Sequence, residues 1–284
     1  GDSVGSDGSL VIYKGPAESL EHVVPEDSIN HYALYSVYDG KYYSAPARGE
    51  ATTPPFPANL VIEPFAYTNS LTLAGLNGGK AWSGAWSVAA GSQAFTIGSN
   101  SLAAATAYAV PGGNLASSTM GNGETAKASR FFTANTTSNI YVGWVMNVST
   151  SGPNRYAGLE VLGGIGGTSV LFQVGLPAGQ TNAAVQSWTL AGTPVRTSAV
   201  TIARGVDYTY IAKYVKAANT LHLRMYTTND IIDTTQSGET NTPWDVVLTN
   251  SAAPATNFCG IRMVAGSSNG AVSAGTVKWD EIQI

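Results

Sequence analysis

The stretch Asn139-Ile140-Tyr141-Val142-Gly143-Trp144-Val145-Met146-Asn147-Val148 decides the fold. Its even positions, from Ile140 to Val148, are all apolar, whereas its odd positions mix tyrosine, glycine, valine and asparagine. Because successive side chains of a strand point to opposite faces, this period of two predicts a strand with one face in a protein core. A slip of one residue would expose the whole apolar set, so the pattern also fixes the register of the strand.

A second pair of segments predicts a hairpin that faces the same core. Residues 206–215 and 220–226 flank the tetrapeptide Lys216-Ala217-Ala218-Asn219. In the second segment Leu221, Leu223 and Met225 alternate with more polar residues. Two strand-like runs around a short polar turn are typical of an antiparallel hairpin.

Similar short segments recur along the rest of the chain, separated by clusters of Gly, Asn, Pro and Ser, and helix-period patterns are absent. Further strands are predicted at residues 94–97, 129–133, 156–162, 169–174, 185–190, 258–264 and 276–284. Ten or more short strands at this spacing predict an all-β fold, a two-sheet antiparallel sandwich.

Composition agrees with an extracellular β-protein. The chain has 284 residues, 44% of them hydrophobic and only 11% charged. Its 14 basic and 18 acidic residues give a net charge of −4, which excludes the electrostatic footprint of a nucleic-acid-binding protein. No apolar run is long enough to span a bilayer, and no basic-then-apolar signal opens the chain, so we expect a mature, soluble segment without membrane insertion. The single cysteine excludes an intramolecular disulfide.

A proline-rich stretch divides the chain. Three prolines fall between residues 54 and 57, which favours a semi-rigid linker. Eight acidic and three basic residues precede this stretch, whereas ten acidic and eleven basic residues follow it. We therefore predict a small N-terminal β segment at residues 1–53, a linker at 54–57 and the sandwich at 58–284.

The sandwich segment resembles a known family. Residues 63–67, Glu-Pro-Phe-Ala-Tyr, precede Leu-Ala-Gly-Leu-Asn-Gly-Gly-Lys-Ala-Trp-Ser-Gly-Ala-Trp at 73–86. This pattern resembles the opening of the concanavalin A-like, or laminin-G-like, jelly rolls of secreted bacterial proteins. Supporting stretches follow in that family's order at residues 111–114, 130–132, 141–145 and 277–284. The resemblance implies a jelly-roll sandwich and not a particular activity, because this fold hosts lectins, glycosidases and adhesive modules.

The N-terminal segment is similar to part of another family. Residues 24–40 and 43–46 resemble the later strands of a fibronectin type III domain, with Tyr32 where its corner tyrosine stands. The first half of that domain is missing. Apolar strands such as residues 10–13 and 32–37 therefore need another surface to cover them, and unpaired strand edges recruit other strands.

A search for catalytic groups predicts that the chain is not an enzyme. Glycosidases need two carboxyl groups that face one substrate. Asp280 and Glu281 are adjacent, so a regular strand would point them to opposite faces, and Glu160 is isolated in its strand. No nucleophile elbow or phosphate-binding loop is present.

One structural calcium ion is implied by the resemblance. Jelly rolls of this kind often bind calcium where the first and last strands meet, and Glu63 and Asp280 occupy those strands. Calcium takes six to eight oxygen ligands, so backbone carbonyls and water would supply most of them. The alternative is that Asp280 caps a turn or pairs with Lys278 or Arg130.

Aromatic residues near polar loops are candidates for sugar binding, because the C–H faces of pyranoses stack on aromatic rings. These candidates are Tyr156, Trp188 and Trp244. The remaining tryptophans that we assign, by motif or by strand pattern, are predicted to lie in the core: Trp82, Trp86, Trp144 and Trp279.

Two functional hypotheses from different classes follow. The first is a non-catalytic structural or adhesive subunit of a cell-surface or fibre-like assembly, in which the N-terminal segment packs on, or is completed by, a neighbouring protein domain or a second copy of the chain. The alternative for that segment is that it folds back on its own sandwich. The second hypothesis is a carbohydrate-binding, lectin-like module that holds a larger secreted protein to polysaccharide. Both place the chain outside a bacterial cell or on its surface.

Overall fold

The computed structural model describes residues 29–34, 37–38, 42–44, 47–52, 61–106, 108, 113–135, 139–149, 155–163, 169–177, 182–188, 194–232, 244–249, 257–267 and 275–284. The chain divides into two compact units, residues 1–58 and 59–284. Among the described residues, no helix has the length and hydropathy needed to cross a membrane.

The first unit contains two antiparallel strand pairs. β1 (Ile29–Leu34) pairs with β4 (Ala47–Thr52), and β2 (Val37–Tyr38) pairs with β3 (Tyr42–Tyr43). The predicted strand at residues 10–13 and the predicted linker at 54–57 lie outside the described residues. The fibronectin-like interpretation of this unit stays a prediction.

The second unit is a two-sheet antiparallel sandwich. Its strands are β5 (Ile62–Glu63), β6 (Ser87–Val88), β7 (Thr96–Ser99), β8 (Asn114–Met120), β9 (Thr125–Asn135), β10 (Asn139–Val148), β11 (Arg155–Gly163), β12 (Ser169–Leu176), β13 (Asn182–Trp188), β14 (Pro194–Thr201), β15 (Asp207–Val215), β16 (Thr220–Tyr226), β17 (Val246–Leu248), β18 (Phe258–Ser267) and β19 (Gly275–Gln283). The eight-stranded sheet has the order β17-β16-β15-β10-β19-β8-β7, with β5 beside β19. The seven-stranded sheet has the order β14-β13-β12-β11-β18-β9-β6.

The chain alternates between the two sheets. β8 and β10 lie in the eight-stranded sheet and flank β9 of the seven-stranded sheet, and β18 and β19 are likewise divided. The predicted hairpin is confirmed, since β15 pairs with β16 around the turn Lys216–Asn219. The predicted all-β jelly-roll sandwich is therefore confirmed.

The core lies between the sheets and contains the residues that the period of two selected. Ile140, Val142, Trp144, Met146, Leu221 and Leu223 are buried in one cluster, and Met225 packs against it: these are the predicted core positions. Trp144 stacks on Tyr210 with ring centroids 5.0 Å apart. Trp86 and Trp279 are also buried, as predicted, whereas Trp82 is half-buried.

A buried carboxylate, that of Glu63, lies at one side of this core. Glu63 is fully buried and accepts hydrogen bonds from four groups. Its Oε1 accepts from the Phe65 amide at 2.9 Å, and its Oε2 accepts from the Tyr67 hydroxyl at 2.9 Å and from Trp86 Nε1 at 2.8 Å. Arg130 Nη1 completes the set with an ion pair. Because buried charges are stable only when paired and hydrogen-bonded, these four donors are what allow the Glu63 side chain to lie inside the protein.

The guanidinium of Arg130 is satisfied just as fully. Its Nε donates to the Gly84 carbonyl at 2.9 Å, and its Nη2 donates to Asn77 Oδ1 and to the Gly78 carbonyl, both at 2.7 Å. Its central carbon lies 4.8 Å from the ring centroid of Trp82, a cation–π distance. The Asn-Gly-Gly and Trp-Ser-Gly-Ala-Trp stretches that carry the family resemblance are therefore the walls of one arginine site.

Two residues of this segment, Gly79 and Phe65, have a positive φ. Gly79 has a φ of +68°, and a Cβ there would stand 2.2 Å from the carbonyl oxygen of Ile62. Phe65, the residue whose amide bonds Glu63, has a φ of +49° although it is not glycine. Such strained positions persist only where the surroundings determine them, here the buried carboxylate.

Replacing Arg130 with Met should destabilise the sandwich strongly. The variant leaves the Glu63 carboxylate buried without its counter-charge, and breaking a buried pair in this way costs about 3–5 kcal/mol. The free energy of unfolding from urea denaturation measures the effect. Arg196→Met, at an exposed strand position, is the control, and its change should stay within about 0.5 kcal/mol. Equal losses in both variants would contradict a structural role for the pair.

Candidate functional site

The outer face of the seven-stranded sheet carries a polar side chain on every strand at one register position. These cross-strand neighbours, which we call the polar row, are Arg196, Gln186, Gln173, Glu160, Arg262, Ser129 and Ser87, on β14, β13, β12, β11, β18, β9 and β6. Directly opposed residues share a face of a sheet. Leu159 and Val161, on either side of Glu160, are buried in the core, so the row faces outward. Six strand intervals make it about 29 Å long.

An ion pair forms the middle of the polar row. Arg262 donates from Nε and Nη2 to Glu160 Oε2. The side chains are 23% and 10% exposed, so the pair forms a floor that solvent reaches. Burial raises the pKa of Glu160, and the nearby Arg262 opposes that shift. Within the described residues, Glu160 Oε1 and Arg262 Nη1 have no hydrogen-bond partner, which leaves one acceptor and one donor group side by side.

A pair of amides continues the row. Gln186 Nε2 donates to Gln173 Oε1 across β13 and β12. This bond orients both amides and leaves the amide nitrogen of Gln173 and the amide oxygen of Gln186 for other partners. Gln173 is buried and Gln186 is half-buried. The row thus presents alternating donors and acceptors held in fixed positions.

A line of residues with little or no side chain runs beside the polar row. Gly158, Gly175 and Ala184 are cross-strand neighbours one pleat away from Glu160, Gln173 and Gln186, and we call these three residues the trough. A Cβ on Gly158 would stand 2.2 Å from the carbonyl oxygen of Val174, so no larger residue fits there. All three residues are buried.

Tyr156 borders the trough on the side away from the row. Its ring lies across the neighbouring strand on Gly266, where an added Cβ would stand 2.4 Å from the ring. The ring is half-buried, and burial, with a smaller contribution from the Glu160 carboxylate, raises the pKa of its hydroxyl. Tyr156, Gly158 and Glu160 are alternate residues of β11 and share one face. An aromatic ring, a position without a side chain and a carboxylate therefore follow one another along the strand.

The other predicted sugar-binding residues are placed differently. Trp244 belongs to the eight-stranded side, where it precedes β17 and lies under the guanidinium of Arg224 at 4.8 Å, with His222 5.3 Å away. Trp188 ends β13, with its backbone opposite Pro194. Tyr156 and Trp244 therefore lie on different sheets and do not form one platform.

The two residues predicted to hold calcium lie on opposite faces of the eight-stranded sheet. Glu63 is opposite Ile282, a core residue, and bonds Arg130 inside the sandwich. Asp280 follows Trp279, also a core residue, and accepts from the Leu102 amide outside it. The pair does not fit one ion, and no group of three or more His, Cys, Asp or Glu among the described residues could hold a metal. Calcium binding as such stays a prediction.

Asp280 anchors a segment that covers the outer face of the eight-stranded sheet. This cover segment, residues 101–106 and Tyr108, packs in a second apolar cluster. Asp280 Oδ2 accepts from the Leu102 amide at 2.8 Å and Oδ1 from the Glu281 amide at 2.9 Å, and Thr209 Oγ1 accepts from the Ala105 amide at 2.9 Å. Asp280 thus bonds backbone amides and not Arg130 or Lys278. Burial, together with the Glu281 charge, raises its pKa to about 7.

Sequence comparison identifies no relative, since neither a family model nor a curated protein matches this chain. Solved structures resemble its fold. The potassium-bound carbohydrate recognition domain of Emp46p is 9% identical, with 70% of this chain and 87% of that one aligned and a TM-score of 0.40. A GH16 protein from a Bacteroides ovatus mixed-linkage glucan PUL, in complex with a G4G4G3G product, is 7% identical over 78% and 99% of the two chains, with a TM-score of 0.48.

A Shewanella oneidensis MR-1 protein of unknown function is 13% identical over 79% of this chain and 84% of its own, with a TM-score of 0.46. All three TM-scores lie below 0.5, so these likenesses carry no argument about function.

The change in stability caused by Asp280→Asn should be more favourable at pH 8 than at pH 5, whatever the constant cost of replacing one of the two accepting oxygens by an amide nitrogen. The folded chain holds the Asp280 proton up to about pH 7, whereas the unfolded chain releases it near the ordinary aspartate pKa of 3.8. Stability from this group is therefore lost as pH rises through that window, and asparagine removes the loss. Urea denaturation at both pH values measures the difference between variant and parent. Thr209→Val is the control, because it removes an acceptor of the cover segment without a titrating group, and its effect should not change with pH.

Proposed function

We propose that this chain is a non-catalytic carbohydrate-binding domain that binds glycan along the outer face of its seven-stranded sheet. One observation carries the proposal: the polar row holds planar side chains in fixed pairs beside a trough and a tyrosine ring. The larger secreted protein that it serves would stand outside the cell or on its surface. Polysaccharide is the partner that this face fits.

The chemistry of the row suits sugar hydroxyls. Each hydroxyl both donates and accepts, and neighbouring hydroxyls of a pyranose stand close together. Glu160 Oε1 supplies an acceptor beside the remaining N–H groups of Arg262, and Gln173 and Gln186 supply a donor and an acceptor one strand further. Tyr156 offers a half-buried ring for the C–H face of a sugar.

A single carboxyl group on the described strands of this face supports a non-catalytic role. Retaining and inverting glycosidases both use two carboxyl groups about 5–9 Å apart. The strands of the seven-stranded sheet contain one acidic residue, Glu160, and its carboxylate is bonded to Arg262. A lone carboxylate held by a guanidinium fits binding and not general acid catalysis.

The assembly hypothesis depends on other parts of the chain. Its apolar strand at residues 10–13 lies outside the described residues, and no feature of the sandwich favours it over glycan binding. It stays a prediction. Comparing the mass of the chain in solution with and without residues 1–50 would test it.

Tyr156→Ala and Arg262→Gln should each weaken glycan binding about tenfold or more. Each removes a contact worth about 1–3 kcal/mol, a ring or a charged donor, from the proposed face. Isothermal titration calorimetry of the whole chain against a panel of neutral and acidic polysaccharides would measure the effect. Trp244→Ala, on the other sheet, is the matched aromatic control and should bind as the parent does.

Two results would overturn this proposal. Loss of binding in Trp244→Ala, with binding retained in Tyr156→Ala, would place the site on the eight-stranded sheet. Release of reducing ends from a bound polysaccharide, abolished by Glu160→Gln, would make the chain an enzyme. Folding of each variant is checked by near-UV circular dichroism, which reports the packing of the core aromatic residues.

A further inference from the structure

We propose that the glycan bound on this face is an acidic polysaccharide, a polymer whose sugar units carry carboxylates. The inference rests on the proposed function and adds the class of ligand. It is carried by two basic side chains, Lys127 and Arg196, that stand on the outer face and form no ion pair within the described residues. They lie on β9 and β14, on either side of the trough.

The charges of the seven-stranded sheet are unbalanced. Its strands contain five basic residues and one acidic residue, although the whole chain has a net charge of −4. Arg130 points inward and is neutralised by Glu63, and Arg262 is neutralised by Glu160. Two of the five positive charges are therefore neutralised by ion pairs.

Of the three basic residues that remain, Lys127 and Arg196 have described side chains, and both stand on the outer face. Lys127 is opposite Val264, which is opposite Gly158, so it stands at the end of the trough. It is half-buried and influences the Glu160 carboxylate electrostatically, but it bonds no carboxylate in the part of the chain that the structure describes. Arg196 is exposed at the far end of the polar row and has no ion-pair partner among the described residues.

The separation of these two cations favours a polymer over a single sugar. Five strand intervals separate β14 from β9, which makes about 24 Å. One monosaccharide cannot contact both side chains, whereas a chain that crosses the strands along the polar row passes Arg196 at one end and Lys127, two residues from Ser129 on β9, near the other. Between them, Glu160 is the one carboxylate on the described strands of this sheet, and it is paired with Arg262, so acidic sugar units meet attraction with little repulsion.

A matched pair of polymers tests the inference. The whole chain is titrated by calorimetry with polygalacturonate and with the same polymer after its carboxyl groups have been reduced to alcohols. We expect the acidic form to bind about tenfold tighter at low salt, and the advantage to shrink as added salt screens the exposed charges. Lys127→Gln and Arg196→Gln should each lower affinity for the acidic form about 3–10-fold and leave affinity for the reduced form unchanged.

Lys278→Gln is the matched control for Lys127→Gln. Lys278 is also a half-buried lysine in a long strand, but it lies on β19 of the other sheet. Its replacement changes the net charge equally, so it should leave both affinities as they are. A loss in this control equal to that in Lys127→Gln would reduce the effect to overall charge and overturn the inference.

The remaining outcomes separate this inference from the proposed function. Equal binding of the two polymers, or tighter binding of the reduced one, overturns the acidic preference and leaves the glycan-binding proposal intact. If neither these two polymers nor any neutral polysaccharide of the panel binds, both proposals fail. Tighter binding of a single-stranded homopolynucleotide than of polygalacturonate would make the face a general polyanion site and would also overturn the inference.

Discussion

The ion pair between Glu63 and Arg130 is the constraint on which the sandwich depends. Glu63 lies on β5 beside the eight-stranded sheet, and Arg130 lies on β9 of the seven-stranded sheet, so the pair joins the two layers. Two buried charges are stable only if every remaining donor and acceptor is satisfied. The segment from Phe65 to Trp86 supplies those partners, and its turn is determined by that need.

The same strands that fix the core also position the outer face. On β9, Ala128 and Arg130 point inward, so Lys127 and Ser129 must point outward. A slip of one residue would bury a lysine and expose the arginine site, which makes slippage costly. Because each neighbouring strand is fixed by its own core residues, the seven members of the polar row stay aligned without having to bond one another. Glycan recognition, as we propose it, uses an alignment that folding has already set.

The sequence alone predicts the parts of the structure that are local. Alternation in Asn139–Val148 is a property of one strand, and it predicts the buried face correctly. The Glu160–Arg262 pair is not local, since 102 residues separate its members and only the register of β11 with β18 brings them together. Glu160 is isolated along its own strand, as the sequence indicates, but it has a partner on the next one. The sequence argument for Asp280 and Glu281 assumes a regular strand. The backbone at Glu281 is irregular, with a φ of +49°, so simple alternation does not predict which face each of the two side chains occupies.

A chain with few charges makes the position of each one informative. Solubility here rests on hydroxyl and amide side chains, so ionisable groups are not needed merely to cover the surface. Within the sandwich, Glu63 and Arg130 join the sheets, and Asp280 fixes the cover segment. Neither of these roles applies to Lys127 and Arg196, which bond nothing in the described part of the chain and face the same side as the trough. Cations that do no structural work, on a face whose one carboxylate is already paired with Arg262, are best explained by an anion that comes from outside the protein.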